Sequence, residues 1–167
     1  RSTPMNSSAA QMCIRDSTDY ACLREINRML TQEGSEPAIA YARSKFISQP
    51  SLALAYRLAQ LYASEAKDRE AVEVLKIIRF MTRFSSDDFV LVQKIANFLH
   101  KLDEGEMALN IYKNLLEERE LDKQLKISLY QGGARIAAAQ NEPVIASRWD
   151  LEARKLKSPP TPKPANG

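Results

Sequence analysis

Apolar residues recur along most of this chain at three- and four-residue steps, in blocks about a dozen residues long separated by short polar breaks. That is the period of a helix with one apolar face. Leu58, Ala59 and Tyr62 belong to one block, followed after a break by Ala71, Val72 and Leu75; Ile95, Ala96 and Leu99 precede the break at Asp103 to Gly105, after which Ala108, Leu109 and Tyr112 resume the pattern. The periodicity predicts helices over 18–33, 36–48, 51–65, 68–83, 87–101, 104–119, 122–139 and 142–156. Leu23, Ile26 and Leu30 form the apolar stripe of the first. Breaks supply the expected caps: Gly34 ends the first helix, Ser35 with Pro37 starts the second, Ser86, Asp87 and Asp88 start the fifth, and Asp103 starts the sixth. The expected fold class is all-α.

Small residues add a longer rhythm. Ala59 and Ala71, Ala96 and Ala108, and Ala134 and Ala146 are pairs twelve residues apart, placed where one helix must come close to its neighbour. Ala38, Ala71, Ala108 and Ala146 follow one another at 33, 37 and 38 residues, a period that predicts an α-solenoid of about four antiparallel helix pairs. Gly132 and Gly133 leave the fourth pair open to two registers, with Trp149 able to take either phase. The pattern resembles the tetratricopeptide repeat (TPR). The residues that carry the resemblance are Leu58, Ala59 and Tyr62 on a first helix with Ala71 and Leu75 on the second, then Ile95, Ala96, Leu99, Ala108 and Tyr112. The chain departs from the family pattern in lacking its consensus tryptophan and most of its glycines, and in two spacings longer than the family's 34. The resemblance implies a right-handed superhelix whose first helices line a concave groove.

The two ends differ from the middle. Gln11 to Ser17 resembles the translation of a transposon end used in preparing sequencing libraries, so residues 1–17 are expected to be non-native or disordered and are set aside from the repeat domain at 18–156. From 157 the text is Pro-rich and polar, which predicts a disordered tail over 157–167. With Cys13 set aside, Cys22 is left alone and fits a small apolar position on the first helix. The net charge of +3 is too slight to argue for nucleic acid, and no apolar run is long enough to insert in a membrane. Neither a compartment nor an oligomeric state follows.

Catalytic chemistry is sparse. His100 is the only histidine, no paired Cys or His has the spacing of a metal site, and no glycine-rich loop is suited to a phosphate. No cofactor is expected and the chain does not read as an enzyme. One recurrence lies outside the core pattern: a cation followed three residues later by an amide, at Arg24 and Asn27, Arg57 and Gln60, and Lys94 and Asn97. Residues three apart share a helix face. The fourth pair keeps only Arg135, with Gly132 where the cation would stand. Amides both donate and accept, which suits an extended peptide backbone, and the cations suit its carboxylates. The resemblance adds Tyr56, Gln93, His100 and Lys101 to the flanks of the same groove. The expected function is a protein-interaction module for an extended, acidic segment; the alternatives are a helical-repeat RNA-binding protein and the docking segment of a larger enzyme or secretion assembly.

Overall fold

The computed structural model describes residues 7–80, 84–160 and 162, with side chains from residue 18 onward. Among the described residues the chain is all-helical, without a strand: α1 (Ser7–Gln32), α2 (Ser35–Ser48), α3 (Leu52–Ser64), α4 (Asp68–Leu75), α5 (Phe89–Lys101), α6 (Gly105–Leu116), α7 (Lys123–Ala139) and α8 (Pro143–Lys157). Short 3-10 stretches follow α4 at Lys76–Phe80 and precede α5 at Ser86–Asp88. The residues group into two compact units, 1–82 and 83–167.

In the first unit α1 packs on α2, α2 on α3 and α3 on α4, while α1 also touches α3. Its core is built from Cys22 and Ile26 of α1, Ala38 and Ala42 of α2, Leu54, Ala55, Leu58 and Ala59 of α3, and Ala71, Val72 and Leu75 of α4. Leu23 and Leu30, expected in the stripe of the first helix, are only half-buried, because Cys22 and Ile26 face the neighbouring helices instead. In the second unit α5 packs on α6, α6 on α7 and α7 on α8, while α5 touches α7. Val92, Ile95, Ala96, Leu99, Ala108, Tyr112, Leu115, Leu129, Ile136, Ala137 and Trp149 form its core. Ala59, Ala71, Ala96 and Ala108 are all 0 % exposed, so helices close on a methyl group at each of them. Sealing one leucine-sized side chain in such a core is worth about 1.5–3 kcal/mol.

The turns that join α3 to α4, α5 to α6 and α7 to α8 have a common geometry. Ala66, Asp103 and Asn141 all take left-handed backbone angles, with φ of 57°, 64° and 58°. In each case the following N–H reaches a carbonyl five residues back: Lys67 to Tyr62, Glu104 to Leu99 and Glu142 to Ala137, all at 2.9 Å. That bond closes the end of one helix while the same residue opens the next. The turn after α1 is a variant in which Gly34 itself carries the positive φ, 98° with ψ −179°, and its N–H reaches Met29 O at 3.0 Å. Only glycine is at ease in that region of backbone space.

Several expected boundaries shift. α1 starts at Ser7, so the backbone of 7–17 is helical where the sequence predicts a disordered segment, and residues 1–6 lie outside the described ones. Ser35 is the first residue of α2 and not its cap; Gly34 holds the cap position and makes no side-chain bond. Ser86, Asp87 and Asp88 form the 3-10 turn before α5; Asp88 holds the cap position without a side-chain bond to the helix, and accepts at Oδ2 from Ser85 Oγ at 2.8 Å. Asp103 is the left-handed turn residue, a role open to Asp and Asn because their short side chains tolerate it. Side-chain caps occur at Ser51, which accepts from Leu54 N at 3.2 Å, and at Asp122, which accepts from Leu125 N at 2.9 Å. α4 gives way to 3-10 structure at Lys76, and the expected end of that helix at 81–83 lies outside the described residues. α6 ends at Leu116, short of the expected 119. At the C-terminal end α8 runs to Lys157 and residues 158–160 leave it without regular structure; the rest of the expected tail, apart from 162, is outside the described residues.

The fourth pair takes one definite register. Gly133 is buried against Trp149, and a Cβ there would stand 2.7 Å from the indole ring; one at Gly132 would stand 2.5 Å from the Tyr112 hydroxyl. The two glycines let Tyr112 and Trp149 lie on the backbone of α7. Ala134 and Ala146, expected at a close contact, are only half-buried. Gly133 and Trp149 take over that part.

Candidate functional site

The predicted groove residues fall in both units. In the first, Arg24 and Asn27 are exposed on α1, while Tyr56, Arg57 and Gln60 are half-buried on α3. Arg57 Nη2 donates to Asn27 Oδ1 at 2.7 Å, a bond that spans α1 and α3. The Asn27 oxygen is thereby used, and its amide N–H groups and the other Arg57 donors remain on the face. Arg24 lies 5.9 Å from the centre of the Tyr20 ring, a cation–π distance. Tyr20 is itself exposed. This aromatic neighbour was not singled out in the sequence, although its position one helical turn before Arg24 is the signal that would have found it. The nearby Arg28 is committed elsewhere, to Glu25 at 2.6 Å and Glu33 at 3.1 Å.

In the second unit the amides turn inward. Tyr112 Oη donates to Asn97 Oδ1 at 2.7 Å, and Gln93 Nε2 donates to Tyr112 Oη at 3.4 Å and to Ser128 Oγ at 3.0 Å. Gln93 and Asn97 thus tie α5 to α6 and α7. Burial pushes the Tyr112 phenol above its ordinary value, opposed by the hydrogen bond it accepts from Gln93 and by the charge of Arg135. Arg135 is therefore close enough to be felt at the hydroxyl, although its side chain is exposed. Lys94 and Lys101 are exposed on α5. His100 is half-buried, and its Nδ1 is enclosed with no hydrogen-bond partner. Gly132, in the position that Arg57 and Lys94 hold in the other pairs, has no room for a side chain beneath the Tyr112 hydroxyl. The hub of this set, Tyr112, was legible only as a core residue, since nothing in its spacing announces a buried hydroxyl. Ser128 carries no sequence signal at all.

The remaining chemistry is limited. Among the described residues no group of three His, Cys, Asp or Glu side chains is arranged to hold a metal ion. No helix among them is long and apolar enough to cross a membrane. Cys22 is buried and free. The chain matches no family model, and no curated protein matches it.

Proposed function

We propose that this chain is a non-catalytic protein-interaction module, a TPR-like α-solenoid of antiparallel helix pairs whose first helices receive an extended, acidic segment of a partner protein. The solenoid reading is supported by the turns at Ala66, Asp103 and Asn141, which repeat one geometry at spacings of 37 and 38 residues. The observation that carries the binding reading is the face of α1 and α3. There the exposed Arg24 guanidinium stands above Tyr20, and Arg57 and Asn27 are joined so that donors predominate. Such a surface attracts carboxylates and backbone carbonyls, and its attraction weakens as salt screens it.

The test removes the exposed cation and its aromatic neighbour. Arg24→Glu with Tyr20→Ala changes two exposed positions, each ordinarily costing within about 0.5 kcal/mol of stability. Arg57 is left alone because its bond to Asn27 would confuse stability with binding. Partners captured by the wild type should be lost by the double variant at unchanged circular dichroism, and should elute with added salt. Recovery of the same partners by both proteins would refute the reading.

A further inference from the structure

Two adjoining cavities lie along α7 and α8. A cavity of about 650 Å3 is lined by Gln131, Ala134, Arg135 and Ala138 of α7 with Ala146, Ser147 and Asp150 of α8. A second, of about 450 Å3, shares Ala138, Ala146 and Ser147 with it and continues to Asn141 and Pro143. Together they make one trough along the two helices.

The second unit itself shows what fills such a trough. The turn residues Asp103 and Asn141 set an offset of 38 between α5–α6 and α7–α8. Under that offset Gln131, Ala134, Ala146 and Asp150 correspond to Gln93, Ala96, Ala108 and Tyr112. Those four are covered residues: α7 packs against both α5 and α6, Ser128 accepts from Gln93, Gly132 lies on the Tyr112 hydroxyl, and Ala96 and Ala108 are fully buried. The seat that α7 occupies on one pair is therefore repeated on the next, where its alanines are half-buried and open.

We infer that the α7–α8 trough seats an amphipathic helix from a partner protein, in the manner in which α5–α6 seats α7. The differences between the two seats define the chemistry of that helix. Ser147 stands for Leu109, Asp150 for Tyr112 and Ala138 for His100, so the open seat is wider and takes leucine-sized side chains where α7 offers Gly132 and Gly133. Asp150 is paired with Arg154 at 2.6 Å, which leaves the exposed Arg135 as the cation of the seat and calls for an acidic residue on the incoming helix. A second copy of this chain fits poorly. Its large exposed apolar residues are Tyr20, Ile47, Phe80, Val90, Val144 and Leu151, and among the described residues only α8, part of the seat itself, presents two of them. This inference is independent of the peptide face on α1 and α3.

The test uses a defined probe, a fluorescein-labelled synthetic peptide of the 17-residue α7 sequence carrying Ser128→Glu, Gly132→Leu and Gly133→Leu. Titrated with the full chain, its anisotropy should rise to saturation. The unsubstituted α7 peptide should bind at least about tenfold more weakly, a difference of about 1.4 kcal/mol. Ala138→Glu and Ser147→Arg alter exposed positions in the trough and should each weaken binding by about tenfold or more at unchanged circular dichroism. Failure to saturate, or equal binding by both trough variants, overturns the inference. A dimer in sedimentation that Ala138→Glu returns to monomer overturns it too, by giving the seat to a second copy.

Discussion

The hydroxyl of Tyr112, buried in the second unit, donates to the side-chain oxygen of Asn97 at 2.7 Å and ties α6 to α5. Removing that hydroxyl leaves the Asn97 oxygen and one contact of Gln93 without their partner. Tyr112→Phe is expected to cost about 1–2 kcal/mol, the usual range for a part-buried hydrogen bond lost from one side. Chemical denaturation measures it. A double-mutant cycle with Asn97→Ala should return a coupling of at least about 0.5 kcal/mol, whereas simple additivity would mean the two groups do not interact.

The same residue sets a pH dependence at the alkaline end. Burial raises the Tyr112 phenol above the ordinary value of about 10, so the folded state holds this proton more tightly than the unfolded state does. Its contribution to stability is complete below about pH 10 and is lost as pH rises through the folded-state value. The wild type should therefore lose melting temperature more steeply than Tyr112→Phe above about pH 10. Parallel slopes for the two proteins would show that the phenol titrates alike in both states.

Left-handed turn positions offer a stabilising change. Ala66 has φ 57°, which strains a side chain that Asp103 and Asn141 bear more easily at the matching turns. Ala66→Gly should raise stability by about 0.5–1 kcal/mol despite the greater freedom glycine has in the unfolded chain. Gly34→Ala should do the reverse, lowering it by about 1–3 kcal/mol, because φ 98° with ψ −179° is open to glycine alone. Thermal melts of the two variants should move in opposite directions.

At Gly133 the expected fault is steric. A methyl group there meets the Trp149 ring at 2.7 Å, so Gly133→Ala should cost about 1–3 kcal/mol by overpacking. Trp149 is the only tryptophan, and its emission should shift to longer wavelength as the ring is displaced toward water. Unchanged emission with unchanged stability would mean the ring does not rest on that backbone.

Enlarging a fully buried alanine tests the close contacts between helices. Ala71→Leu or Ala96→Leu should each cost about 1–3 kcal/mol, while Ala138→Leu on the exposed face of α7 should cost little. Denaturant midpoints for the three variants provide the comparison.

The helical pattern was legible because Ala59, Ala71, Ala96 and Ala108 do one job each, and small apolar residues at a fixed spacing have few other uses. Gly132 and Gly133 were legible only as an ambiguity. A glycine in a helix marks a close approach without naming what approaches, and the partners Tyr112 and Trp149 lie on two other helices. Asp103 reads as a cap because aspartate serves equally as a cap and as a left-handed turn residue, and the choice depends on a carbonyl at Leu99 that no local pattern identifies. The residues expected at a groove do lie on helices, but spacing could not foresee that Asn27 and Asn97 would spend their oxygens on Arg57 and Tyr112. Those bonds join side chains 30 and 15 residues apart.

Among the described residues, the main helix contacts in each unit join an element to the next one along the chain, or to the one after that. Bringing such neighbours together closes only short loops, so little entropy is lost before contacts begin to form. A chain built this way is expected to gain its structure rapidly, on the microsecond to millisecond scale of helical domains with local contacts. It also has a core in each half, so synthesis from the N-terminal end would let residues 1–82 collapse around Ile26, Leu58 and Leu75 while the later helices are still being made.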